Sequence, residues 1–456
     1  MTEIAERSAE RPAGTRPVPD IVTELPGPKA RRHIAFDESV TSSSLPRAYP
    51  FVPLRGEGAM IEDIDGNRFL DFAAGIAVNS TGHCHPDVVA AIERQARELL
   101  HFSASDFYLP IYAELASELA RLAPIGEATR VFLTNSGTEA VETAIKLARH
   151  ATGRQGLVAF LGAFHGRSYG SVSLTASKAK YHARFGPLLP GVVHVPYGSP
   201  GLDELEQRVF RRLVPADEVA AIFVEPVQGE GGYVVPDDGF LPRLRRICDE
   251  HGIVLVADEV QSGMGRTGRM WAIQHWGVEP DVVLAAKGIA SGLPLGAAIA
   301  RAGLMGWGPG AHGSTFGGNP VSCAAALATI RLLEGGLVEN AALRGREALD
   351  ALRPLVERFP ELVREIRGLG LMIGVSFDSA ETAEAVQWAA FQRGLLVLEA
   401  GDDAVRISPP LVVASEEIAT GIQLLGEAVG EVAASRAAVL ERAGEAGAIN
   451  EVEAGG

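Results

Sequence analysis

Two residues of opposite charge set the chemistry available to this chain. Asp258 follows the apolar run 253–257 (IVLVA), and Lys287 follows the run 282–286 (VVLAA). Both runs are continuous and rich in β-branched residues, the composition of strands covered on both faces, and each charge stands where its strand would leave the sheet. In open α/β sheets the carboxyl ends of strands are where ligands bind. An acid and an amine beside one another at such a crevice suit pyridoxal phosphate (PLP), whose aldehyde needs a lysine and whose pyridine nitrogen needs an acid to stay protonated. Either residue alone would more often be an ordinary solvated charge. The remaining motifs decide the matter.

Residues 130–150 (RVFLTNSGTEAVETAIKLARH) read as a strand, a tight Asn135-Ser136-Gly137 turn and a helix with Ala140, Val141, Ala144, Ile145 and Ala148 on its apolar stripe. Ser136, Gly137 and Thr138 offer free N–H groups, hydroxyls and the positive helix end to one point, which is either a phosphate cradle or simple N-capping. After the next apolar run come Phe164, His165 and Arg167, a ring that can stack on a flat heterocycle and a guanidinium that can fork onto a carboxylate. Glu225 and Glu230 flank a glycine-rich bend, Thr315 lies in STFGGNP at 314–320, and Arg406 sits on a short strand. Gly263, Gly265 and Gly268 match a dinucleotide fingerprint, but only a short helix-like piece follows and Lys287 would have no role in it. His83, Cys84 and His85 are too close together to complete a metal site unaided, and no second ligand cluster follows; a loop is expected there and no metal.

These residues need elements to hold them. From 51 to 72 the sequence reads as a hairpin of two strands around Asp65-Gly66-Asn67. Between 130 and 300, strand-like runs alternate with helical ones, which predicts a large, mainly parallel α/β domain. Beyond Asn319-Pro320 long helices and short strands predict a smaller α+β domain. The expected division is disorder at 1–20, an N-terminal segment at 21–75 that packs with the small domain, the large domain at 76–319, the small domain at 320–442 and a disordered tail at 443–456.

Composition narrows the class. The 456 residues exceed one ordinary core, and 47% of them are hydrophobic, as in globular proteins. The charge is 41 basic against 57 acidic residues, or −16, which disfavours nucleic acid or an anionic membrane as a partner. No apolar signal core opens the sequence, and the three cysteines are scattered and odd in number, so a soluble, cytoplasmic protein is expected.

Taken in order, NSGTEA, FHGR, EPVQGEGG, ADEVQSGMGRTG, the lysine in AAKGIASGLPLGA, and STFGGNP resemble the class III aminotransferases of PLP fold type I, most closely those acting on 4-aminobutyrate. The resemblance covers most of residues 50–430. It implies that Lys287 holds the cofactor as a Schiff base, that Asp258 partners the ring nitrogen, and that Val260 and Phe164 sandwich the ring. Gln261 would meet the ring hydroxyl, with His165 and Glu225 also at the cofactor. Ser136, Gly137 and Thr138 would hold the phosphate, joined by Thr315 from the second subunit of a homodimer. For the substrates it implies Arg167 at the carboxylate far from the reacting amine, Arg406 at the α-carboxylate of glutamate or 2-oxoglutarate, Glu230 as the group that neutralises Arg406 when 4-aminobutyrate is bound, and Ile76 as an apolar wall. The expected reaction moves an amino group from an ω-amino acid such as 4-aminobutyrate to 2-oxoglutarate. Acetylornithine or ornithine transamination and amino-acid racemisation are the alternatives, because 167–225 is shorter than in 4-aminobutyrate enzymes and PGPKARR and GSTFGGNPV resemble relatives with other substrates.

Overall fold

The computed structural model describes residues 18–454, with side chains described through residue 439. The disorder expected at 1–20 therefore lies outside the described residues up to 17, while Asp20 bridges to Arg68. The side chains of the tail 443–456 also lie outside them, and its backbone continues the helix Ser415–Ala454.

Near the N-terminus, β1 (Pro53–Glu57), β2 (Met60–Asp63) and β3 (Arg68–Asp71) form an antiparallel meander. The expected hairpin is three strands rather than two. Gly58 adopts a φ of +56° and folds back what reads as one continuous strand, and Gly66 makes the second turn at +92°.

The next seven strands form the large sheet: β4 (Thr129–Thr134), β5 (Gly156–Phe160), β6 (Val192–Val195), β7 (Val219–Val224), β8 (Val254–Asp258), β9 (Val282–Ala285) and β10 (Gly296–Arg301). Their order is β4-β10-β9-β8-β7-β5-β6. All pairings are parallel except those of β10, which runs against both β9 and β4. Every residue of β5, β7, β8 and β9 is buried, which is why their sequences read as unbroken apolar runs. Because β10 alone is reversed, the carboxyl ends of β4, β5, β7, β8 and β9 open along one edge. The turns after these five strands carry Ser136 to Thr138, Phe164 to Arg167, Glu225 to Glu230, Asp258 to Gln261, and Lys287.

The chain then forms β11 (Val363–Leu369), β12 (Met372–Phe377), β13 (Leu395–Leu396), β14 (Leu398–Ala400) and β15 (Ala404–Ile407). Four of them make an antiparallel sheet in the order β11-β12-β15-β14, while β13 pairs in parallel with β3 of the meander. A helical stretch at Pro320–Arg358 is apolar and long enough to cross a membrane by composition, with a mean hydropathy of 1.5, but 56% of its most apolar window is buried inside the fold. It behaves as core, bent at Gly336 where φ is +128°.

One apolar core runs through both parts, including Phe160, Val224 and Leu255 of the large sheet and Ile373, Val375 and Val405 of the small one. A buried cation crosses the same boundary. The Arg266 side chain donates from Nη1 to the carbonyls of Leu371 (3.1 Å) and Pro409 (2.5 Å), and Leu371 N–H returns a bond to the Arg266 carbonyl. The glycines around it serve this joint. A Cβ on Gly268 would lie 2.8 Å from that of Ala342, and one on Gly263 2.7 Å from the Glu259 carbonyl, so the apparent dinucleotide fingerprint is a close-packing device.

Candidate active site

In the paired strands β8 and β9, Asp258 lies opposite Leu284, so three more residues bring the chain to Lys287 beside it. Lys287 takes a φ of +41°, an uncommon backbone state for a residue with a side chain. Its amine lines a cavity of about 350 Å³ together with Ser136, Gly137, Thr138, Phe164, Glu225, Asp258, Val260 and Gln261. Five strand ends thus converge on one space.

Each group is held by its neighbours. Asp258 Oδ2 meets His165 Nδ1 at 2.7 Å, and its Oδ1 accepts the Val260 N–H at 3.1 Å. Burial works against the His165 imidazolium, yet the bond to Asp258 and the charges of Asp258 and Glu225 outweigh it and hold its pKa above the ordinary value. Glu225 accepts the N–H groups of Phe164 (3.1 Å) and Gly229 (3.2 Å), so it ties the ring-bearing turn to the glycine bend. Burial raises its carboxyl to about 7 despite the opposing influence of His165. Lys287 is shifted the other way: burial and then the Arg406 charge lower its amine below the usual range, making a free base easier to obtain.

The helix Gly137–Thr152 starts at the cavity, its N-cap Ser136 accepting the Glu139 N–H. Asn135 fastens this turn by donating its backbone N–H (2.7 Å) and side-chain amide (2.9 Å) to Glu139 Oε2. Thr138 Oγ1 lies 2.6 Å from Ser168 Oγ and 2.5 Å from Ser171 Oγ. Gly137 allows Val260 to come close, since a Cβ there would sit 2.8 Å from Val260 Cγ1. Gln261 Oε1 accepts the Tyr233 hydroxyl at 3.0 Å.

A second group gathers on the small-sheet side. Arg406 Nη1 and Glu230 Oε1 are 2.8 Å apart, with both side chains largely buried. Burial disfavours the Glu230 carboxylate, but Arg406 more than compensates and holds its pKa below the ordinary value. Arg406 Nε is buried and has no partner among the described residues, so the guanidinium keeps a donor in reserve.

Three expected residues lie elsewhere. Ile76 is exposed, and Val78, two residues on, lines the cavity instead. Arg167 borders an adjoining cavity, its guanidinium 4.5 Å from the Tyr181 ring centre. Thr315 is exposed and does not line the cavity of its own chain. Val78 and Tyr181 carry no local signal in the sequence, and Asn135 carries one only as the first residue of the NSGT turn. His83 and His85 serve structure: His83 Nε2 lies 2.7 Å from Asp71 Oδ2, and His85 caps the helix Pro86–Glu98.

The family model for class III aminotransferases matches residues 43–429. The chain belongs to this family. It is similar to the acetylornithine aminotransferase of Methanopyrus kandleri, 45% identical over 383 residues that cover 84% of this chain and 95% of that protein. It is also similar to the alanine/serine racemase of Pyrococcus horikoshii, 37% identical over 440 residues that cover 90% and 92% of the two chains. Among solved structures, the ornithine aminotransferase of Toxoplasma gondii superposes with a TM-score of 0.82 at 32% identity, covering 89% of this chain and 96% of that one.

This class III aminotransferase is therefore a PLP-dependent transaminase, and its cavity fits the cofactor. A buried amine, a carboxylate already carrying two donors, the apolar Val260 and Phe164, and a helix N-terminus suit respectively an aldehyde, a ring nitrogen, a flat ring and a phosphate.

Proposed function

We propose that the enzyme moves the terminal amino group of an acetylornithine- or ornithine-type donor to 2-oxoglutarate. The observation that carries this reading is the Arg406–Glu230 pair, 2.8 Å apart beside the amine-bearing cavity. A donor that reacts through its ω-amine presents no α-carboxylate next to the reacting carbon, and an unmasked arginine there would be left uncompensated. With Glu230 in place the charge is balanced. When 2-oxoglutarate enters, its α-carboxylate takes Arg406 and Glu230 gives way. The 4-aminobutyrate donor expected from the motifs satisfies the same logic, but the relatives favour the acetylornithine and ornithine class over it.

PLP, when bound, supplies the electron sink for the bond broken at the amine-bearing carbon. In this reading Lys287 holds the cofactor aldehyde between turnovers, and its freed amine takes the proton from the donor's amine-bearing carbon. Asp258 keeps the ring nitrogen protonated while His165 fixes the carboxylate's orientation. Phe164 and Val260 flank the ring, Gln261 meets its hydroxyl, Glu225 anchors the Phe164 turn, and Ser136, Gly137 and Thr138 hold the phosphate. Arg167 takes the donor's carboxylate, and Ile76 stands at the approach. Thr315, exposed on its own chain, reaches the phosphate site of a second copy in a homodimer.

The deciding experiment follows the cofactor's visible absorption as N-acetylornithine, ornithine or 4-aminobutyrate is added, with glutamate formation from 2-oxoglutarate measured in parallel and Lys287→Ala as control. Bleaching by the ornithine derivatives, reversed by 2-oxoglutarate and absent in the control, is expected. A response to 4-aminobutyrate alone would overturn the donor assignment. Interconversion of alanine or serine enantiomers without keto-acid formation would replace transamination by racemisation.

A further inference from the structure

Between β10 and the helix that begins at Pro320, residues 302–319 are turns and irregular chain. Three glycines there, Gly303, Gly308 and Gly310, would each place a Cβ in open space, so close packing does not fix the path. Thr315 lies on this segment, exposed on its own chain and assigned above to the phosphate site of a second copy. A hydroxyl on loose chain makes a weak ligand, because the segment must be ordered at the moment of binding. The segment therefore needs side-chain anchors.

The helix Gly137–Thr152 supplies them. Thr143, buried on it, donates its hydroxyl to the Glu139 carbonyl at 2.8 Å, which leaves that oxygen to accept from His312 Nε2, 2.9 Å away. The other ring nitrogen, Nδ1, is 3.0 Å from Lys146 Nζ, a group that only donates. Together the two contacts assign a neutral imidazole with its proton on Nε2. Burial and then the Lys146 charge hold the ring below its ordinary pKa, against the pull of Glu139, which agrees with that state. Lys146 Nζ also donates to the Ala311 carbonyl at 3.1 Å, and the His312 ring packs on Phe132 of β4 and on Trp307 of its own segment, with centroids 4.7 and 5.4 Å away. Two residues on, Asn135 Nδ2 donates to Ser314 Oγ at 3.2 Å, and the Ser314 N–H and carbonyl both bond to Ser105 Oγ. The helix that aims its N-terminus at its own cavity thus also carries the segment offered to the other copy.

We propose that His312 is a positioning residue for Thr315: by joining the segment to Thr143 and Lys146, it presents the Thr315 hydroxyl in the pose that a phosphate in the second copy can use. His312 does not line the cavity of its own chain and acts only through Thr315. This inference rests on the proposed homodimer with Thr315 at the second copy's phosphate site.

A double-mutant cycle on cofactor affinity separates the two. Apoenzymes of the wild type, His312→Ala, Thr315→Ala and the double variant are titrated with PLP. Thr315→Ala is expected to weaken binding about tenfold, His312→Ala about three- to tenfold, and the double variant no further than Thr315→Ala alone. His312→Gln, which can still offer an N–H to Thr143, is expected to recover most of the affinity lost in His312→Ala. Wild-type affinity in His312→Ala, losses that add in full in the double variant, or no recovery with Gln would overturn the positioning role while leaving Thr315 at the phosphate. Wild-type affinity in Thr315→Ala would instead remove Thr315 from the phosphate site, and the positioning role would fall with that reading.

Discussion

Asp258 has both oxygens engaged, one by His165 and one by the Val260 N–H, so its carboxylate is already oriented at the cavity. Replacing Asp258 by Asn removes the charge and keeps the shape. The expected result is a loss of about 10²- to 10³-fold in kcat, with the visible cofactor band retained, checked by steady-state kinetics alongside the absorption spectrum. The adjacent Glu259 has a different fate. It faces away into the protein, where its carboxyl accepts the Ser262 hydroxyl at 2.6 Å and the Ile273 N–H at 2.8 Å. Burial raises it from 4.5 to about 7, against the pull of those bonds. Between those two values the folded chain keeps a proton that the unfolded chain has released. The stabilisation is therefore fully present below the unfolded pKa and is lost as pH rises through about 7. Glu259→Gln should flatten the fall in stability between pH 5 and pH 8 by about 2–3 kcal/mol, read by denaturant unfolding at several pH values.

At the scale of elements, the site is a set of turns delivered by neighbouring strands. The helix Gly137–Thr152 can aim its N-terminus at the cavity only because nothing larger than hydrogen occupies Gly137 beside Val260. Gly137→Ala should push these elements apart and weaken PLP binding about tenfold, measured by titrating the apoenzyme with the cofactor. Much of this was legible beforehand, since Asp258 and Lys287 end apolar runs that have to be central strands, and the turns after β4, β5 and β7 carry their own glycines and polar residues. The reversal of β10 was not legible, because a strand buried on both faces reads the same in either direction. β11 was also missed: its sequence, VREIRGL, is only partly buried and lacks a continuous apolar run. Tyr181 was out of reach for another reason. It ends a three-residue 3₁₀ turn, Ala179–Tyr181, too short to show periodicity, and only the fold brings it against Phe164.

For the whole molecule, the exposed apolar residues are informative. Phe102, Phe107, Tyr108 and Phe316 all lie open on the isolated chain, with Tyr108 fully accessible, and Thr315 adjoins Phe316 in the sequence. The Phe102 and Phe107 rings lie tilted at 47° with centroids 4.4 Å apart, and Phe316 meets His101 at 4.9 Å. Such a patch beside Thr315 is apolar surface that the homodimer proposed above would cover. Phe107→Asp should shift the protein toward monomer in sedimentation velocity and lower activity at least tenfold, as one unfavourable buried charge on each side of a twofold interface predicts. A dimer that persists with full activity would remove this surface from the interface.

Arg266 carries a consequence for how the molecule comes apart. Its guanidinium holds carbonyls of Leu371 and Pro409 from inside the large unit, at a boundary already spanned by one apolar core. Separating the two units would break both of these bonds and expose the apolar faces on either side to water at once. Neither unit can melt while the other persists at equilibrium, so a scanning calorimeter should record one endotherm whose van't Hoff and calorimetric enthalpies per cooperative unit agree, despite a chain long enough for two.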